Sequence, residues 1–127
     1  MSTISTNSVK LIIAGSRTMK WRDAPLISEA ADTYNLFPSE VVCGMARGAD
    51  HLGKLWAAFH GVPVVEFPAD WDKYKKAAGH IRNAQMAEYG DALLIFIWDE
   101  SRGSMNMLEQ MGKLGKPTYP IYNGVIA

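Results

Sequence analysis

EVVCGMARGADHLGKLWAAFHGVPVVEF, residues 40–67, reads as one complete β-α-β unit. It opens on a short apolar run (EVVC) and passes through a loop bracketed by Gly44 and Gly48. It then enters a segment where Leu52, Leu55, Trp56 and Phe59 recur at the three- and four-residue spacing of one helix face. Gly61 and Pro63 stop that helix. A second apolar run, residues 62–67, follows at once. Continuous apolar runs rich in β-branched residues, between glycines and prolines, are what strands buried on both faces require, and both-face burial belongs to parallel sheets.

The same alternation extends outward. Residues 9–14 (VKLIIA) and 91–98 (DALLIFIW) are further apolar runs, and 117–122 (PTYPIY) is a weaker one. Leu26, Ile27, Ala30, Ala31 and Tyr34 predict a helix before residue 40. Leu108, Met111 and Leu114 predict another from Met105 onward, ended by Gly115 and Pro117, and residues 79–89 form a less periodic one. Strand and helix alternate throughout without an internal repeat, which predicts a parallel sheet covered by helices on both faces. The expected fold is a single Rossmann-like, three-layer α/β domain over residues 9–127, with five strands in the order 3-2-1-4-5. Residues 1–8 are polar and are expected to form a disordered lead-in. In such a sheet, ligands bind beyond the carboxyl ends of the strands, where the strand order reverses.

Composition narrows the function. The 127 residues carry thirteen basic and thirteen acidic side chains, so no general field draws the chain to nucleic acid or to a membrane. No apolar run approaches the roughly 18 residues of a membrane span. The amino terminus lacks the pattern of a signal peptide. The single cysteine, Cys43, fits a reducing compartment and sits in an apolar run, where it reads as core. The cytoplasm is the expected location, and a nucleic-acid partner is not expected. The Met- and Trp-rich elements are compatible with a homo-oligomer.

The first, second and fourth expected strands end in residues suited to an anion. Gly15, Ser16 and Arg17 follow the first, and Gly44, Arg47, Gly48 and Asp50 follow the second. Glycines beside a helix start leave backbone amides open to a phosphate, and arginine adds a planar fork of donors. Asp50 can cap the helix or accept from a ribose hydroxyl. After the third strand, Asp70 and Trp71 offer a carboxylate and an aromatic face. After the fourth, Asp99 and Glu100 precede Arg102, Gly103 and Ser104, where the serine is either a phosphate donor or a helix cap. Of the five arginines, Arg17, Arg47 and Arg102 thus follow different strands at one edge, and Arg82 with Asn83 begins the helix before the fourth strand. The eight lysines lie elsewhere, with Lys73, Lys75 and Lys76 read as a solvated loop. Segregating arginine from lysine in this way is what an oxyanion site needs.

Other chemistries lack their motifs. His51, His60 and His80 have no metal-ligand spacing with one another or with Cys43. Walker A, G-x-G-x-x-G and G-x-S-x-G patterns are absent from the sequence. No cofactor is required, although Mg²⁺ could accompany a polyphosphate through Asp99 or Glu100.

The blocks GSR (15–17), GMARGAD (44–50), FPADW (67–71), GHIRNAQM (79–86) and RGSMNM (102–107) resemble the YspA, cpYpsA-related family of the SLOG superfamily, which also holds the Smf/DprA and LOG proteins. The resemblance implies a Rossmann-like fold that binds nucleotides, nucleotide-derived signals or, in DprA, single-stranded DNA. LOG enzymes cleave the N-glycosidic bond of nucleoside monophosphates. Their Arg-Lys-x-x-Met helix is similar to Arg82–Met86, and the Gly-Thr step of their Pro-Gly-Gly-x-Gly-Thr-x-x-Glu motif is similar to Gly103-Ser104. The Pro-Gly-Gly portion is missing here, and the glutamate position falls on Met107, which cannot stabilise positive charge on a ribose. Arg82, Asp50, Asp70, Asp99 and Glu100 are left as candidate catalytic residues.

The leading expectation is therefore a module that binds a small phosphate-bearing nucleotide or derivative, as a sensor or sequestering protein. A nucleotide hydrolase is the alternative, and DprA-like single-strand binding with Trp71 stacking is the second.

Overall fold

Successive residues of the first apolar run face opposite ways, and the computed structural model buries both directions. The structure describes residues 8–98 and 101–126. Strand β1 (Ser8–Gly15) sends Leu11 and Ile13 into one core and Ile12 and Ala14 into the other. Around it stand β2 (Phe37–Gly44), β3 (Val64–Phe67), β4 (Ala92–Ile97) and β5 (Thr118–Tyr122). Every pairing is parallel, and the order is β3-β2-β1-β4-β5. This is the expected Rossmann-like sheet, with its reversal between β1 and β4.

Helices close both faces. The first core joins Ile27 and Ala30 of α1 (Pro25–Thr33) and Leu52 and Ala57 of α2 (Ala49–Phe59) to Val41, Leu94 and Phe96. The second joins Met86 and Ala87 of α4 (Ala78–Tyr89) and Met107 and Met111 of α5 (Arg102–Lys113) to Val42, Leu93 and Ile95. Between the two faces, after β3, lies the single turn α3 (Trp71–Tyr74), followed by a 3-10 turn at Lys75–Ala77. None of the described helices is long and apolar enough to cross a membrane.

Three expectations need correcting. The buried stripe of α2 is Ala49, Leu52, Gly53 and Ala57, while Leu55 is exposed and Phe59 is 86% exposed. Small residues win that face because α2 lies hard against Ile13 of β1, which a Cβ on residue 53 would overlap. Leu114 is likewise exposed, and α5 starts at Arg102 instead of Met105, with Ser101 as its N-cap. The lysine-bearing stretch after Asp70 is helical, because the Asp70 carboxylate accepts from the Lys73 N–H at 3.1 Å and so caps a turn.

One long-range contact fixes the far end of α4. The Lys116 ammonium, arriving just before β5, donates to the carbonyls of Ala87 (2.7 Å), Glu88 (2.9 Å) and Gly90 (2.7 Å). A helix C-terminus has unpaired carbonyls and a partial negative charge, so a cation there is doubly suited. Lys116→Met, which keeps the aliphatic stem, is expected to lower unfolding stability by about 2 kcal/mol in urea titrations. A change below a few tenths would show that these bonds contribute nothing net.

Candidate functional site

At the reversal between β1 and β4, the loops leaving the two strands diverge to opposite faces, and the gap between them is a cleft. Ser16 anchors it. Its N–H donates to the Phe96 carbonyl at 2.8 Å, and its hydroxyl accepts from the Trp98 N–H at 2.8 Å. Its carbonyl accepts from Ala49 N–H, the first residue of α2, at 3.2 Å. The loop after β2 passes so close to that carbonyl that a Cβ on Gly48 would sit 2.2 Å from it. Gly48 also holds φ at +71°, so glycine is required there twice over.

This crossing sets the position of Asp50. Its side chain is buried, and its carboxylate accepts from the Ala46 N–H. Arg82 reaches in from α4. Its Nε donates to Asn83 Oδ1 at 3.1 Å, and its Nη1 points to the Phe67 carbonyl at 3.5 Å. Gly44 leaves space for both groups: a Cβ there would lie 2.4 Å from Arg82 Nη1 and 2.8 Å from Asp50 Oδ2. Burial pushes the Asp50 carboxyl up to about 6, although Arg82, the Ala46 N–H and Arg17 all pull it down. Burial also lowers Arg82, against the pull of Asp50.

The wall opposite Asp50 belongs to α4 and α5. Asn83 is buried and donates to the Gly103 carbonyl at 3.3 Å and to Asn106 Oδ1 at 3.1 Å, which docks the start of α5 on α4. Ser101 caps α5 by accepting from the Ser104 N–H at 3.2 Å, and its hydroxyl donates to Ser104 Oγ at 3.1 Å.

The cleft has two lobes. The first, about 180 Å³, brings together Gly15, Ser16, Arg17, Asp50, Arg82, Asn83, Gly103 and Ser104 from the sequence candidates. The second, about 290 Å³, lies between Arg17, Arg82 and Trp71. Arg47 and Arg102 are exposed and line neither lobe, so the cationic pair at the cleft is Arg17 with Arg82. Asp70 is occupied as the α3 cap. Asp99 and Glu100 lie outside the described residues, as do residues 1–7 of the expected lead-in. Sequence reasoning missed Ser101, Met45, Ala46 and Pro68. Of these, only Ser101 carried a signal, its three-residue spacing from Ser104 at a helix start.

Among the described residues the buried polar side chains are Ser16, Asp50, Asn83 and Ser104, and all four line the first lobe. Buried polar groups carry a cost that packing alone does not repay, so their collection in one cleft singles it out as the candidate site.

Fold and cleft define a Rossmann-like α/β domain with a polar, arginine-flanked cleft at the carboxyl edge of its sheet. The pattern of the YspA, cpYpsA-related SLOG family matches residues 9–74. The Gene 61 protein of Mycobacterium phage D29 is 34% identical over 118 residues, covering 85% of this chain and 92% of that protein. The chain belongs to the YspA, cpYpsA-related SLOG family. Its fold is also that of DNA processing protein A (DprA) from Streptococcus pneumoniae. That X-ray structure matches with a TM-score of 0.69 and 17% identity over 89% of this chain and 50% of its own, so this chain spans half of that protein's length.

Asp50 makes a signed prediction. Between the ordinary value of 3.8 and about 6, the folded protein keeps a proton that the unfolded chain has lost, so stability falls as pH rises through that window. Above it the cost is constant, at about 3 kcal/mol. Asp50→Asn, which can still accept from Ala46, is expected to raise the thermal midpoint at pH 7.5 and to flatten the fall between pH 4 and 6. A lower midpoint at pH 7.5 would show that the ionised carboxylate holds the fold together.

Proposed function

We propose that the cleft binds a phosphate-bearing nucleotide or nucleotide derivative, and that the protein acts as a sensor or sequestering module for it. The observation carrying this reading is that every buried polar side chain among the described residues lines one lobe, with Arg17 and Arg82 at its border. The α5 amino terminus opens on the same lobe through Ser101, Gly103 and Ser104, adding amide donors and the positive end of a helix dipole. Arg82 donates hydrogen bonds to Asn83 and to the Phe67 carbonyl, and a guanidinium has five N–H donors. A phosphate entering the lobe can take those that remain.

Binding is favoured over N-glycosidic cleavage. Met107, at the position of the LOG glutamate, is buried in the lobe lining. Asp50 is the carboxylate lining the cleft among the described residues, and the arginines beside it would draw its charge away from a ribose. If turnover occurs, Asp50 is the residue that would serve as acid or base. Single-strand binding is a second reading, favoured by the half-exposed Trp71 and the neighbouring Lys73, Lys75 and Lys76.

Arg82→Ala is expected to weaken AMP binding by about 10- to 100-fold in calorimetric titration, the loss of charge-assisted bonds to a phosphate. Arg47→Ala is expected to change it less than about twofold, as a screened surface charge would. AMP should be recovered intact. Equal losses in the two variants would move the site out of the cleft. A short oligonucleotide that binds far more tightly than AMP, with a steep loss in salt, would favour the strand-binding reading.

A further inference from the structure

The two lobes differ in chemistry. Apart from Arg17, Arg82 and Ala46, which they share, the second is lined by Met45, Pro68, Ala69 and Trp71. None of these side chains is a charged group or a strong hydrogen-bond acceptor. Trp71 is 54% exposed and Met45 64% exposed, so two large apolar side chains stand half in water on the wall of one groove. Single exposed apolar residues are ordinary, but a pair lining a concave surface beside cationic groups is a binding feature.

The backbone that carries the indole is held in place. Trp71 opens α3, whose first turn is pinned by the Asp70 carboxylate. Its Cη2 lies 3.6 Å from the point where a Cβ on Gly79 would stand, so the ring edge faces the start of α4.

We infer that the second lobe is a nucleobase subsite, where a purine stacks on Trp71 while its phosphate occupies the first lobe. The inference rests on the nucleotide reading above and specifies the ligand class: a purine nucleoside phosphate. Arg17 and Arg82 border both lobes, so a ligand anchored there by its phosphate extends its base along the apolar wall. Stacking gains with ring area and tolerates exchange of edge groups. The lobe's side chains offer donors on the arginines and the indole but no strong acceptor. Adenine and guanine should therefore bind alike, and both more tightly than uracil.

Calorimetric titration of AMP, GMP, UMP and ribose 5-phosphate tests this on the full chain and on Trp71→Phe, Trp71→Ala and Arg82→Ala. The wild type is expected to bind AMP and GMP within about threefold of each other, and both at least about tenfold more tightly than ribose 5-phosphate, as a stacked base would add. Trp71→Ala should bring AMP down to the level of ribose 5-phosphate while leaving ribose 5-phosphate itself unchanged, and Trp71→Phe should restore most of the difference. Equal affinity of the wild type for AMP and ribose 5-phosphate overturns the base subsite. So does a Trp71→Ala variant that weakens both ligands equally. In either case, a loss of ribose 5-phosphate binding in Arg82→Ala leaves the phosphate cleft standing. Failure of the wild type to bind any of the four overturns the nucleotide reading and the subsite with it.

Discussion

Ser16 holds the molecule's reversal point closed. Its amide, hydroxyl and carbonyl are bonded to Phe96, Trp98 and Ala49, so one residue ties the ends of β1 and β4 to the first turn of α2. The other loops take their places from that tie. Gly48 must pass against the same carbonyl, which sets where α2 starts and therefore where Asp50 points. Because a closed sheet end still has to send its loops to opposite faces, a gap remains above it. The cleft is that gap, and it exists before any ligand is considered.

Electrostatics then determine what the gap suits. Asp50 is kept in a place where its ionised form is disfavoured, beside two guanidinium groups that only partly offset the burial. Replacing such a group with an apolar one would often stabilise a fold, so packing alone does not account for its presence. An anion that adds negative charge would compete with Asp50 for Arg82, and a protonated Asp50 would ease that competition. On the nucleotide-binding reading, ligand affinity and the protonation of one buried carboxyl are linked through a single arginine. Asn83 extends the link to α5 by holding the Gly103 carbonyl, so both sides of the cleft meet at adjacent residues of α4.

The sheet was legible because burial on both faces writes continuous apolar runs, and such runs have little other use in a short chain. The β2–α2 loop was legible as a place, since Gly44 and Gly48 bracket it. What periodicity missed, it missed for geometric reasons. Leu55 and Phe59 fit a helix face by spacing, but α2 lies too close to Ile13 for large residues, and alanine and glycine took the inner face. Arg47, in a loop, and Arg102, at the start of α5, sit where an anion site was expected, yet a sequence says where a side chain is attached and not which way it turns. Arg82 lies on a helix of weak periodicity, and that weakness has a cause: α4 serves the cleft through Arg82 and Asn83, the core through Ala87, and both through Met86. Asp70 was read as a carboxylate for the site, and in the fold it caps the turn that begins α3.

A crystal structure of the protein soaked with AMP addresses the central claim directly. The account places the phosphate in the first lobe, within hydrogen-bonding distance of Arg17 or Arg82 and of the Ser101–Ser104 turn. Phosphate density at Arg47 or Arg102 instead, with the lobe beside Asp50 filled only by water, would contradict it.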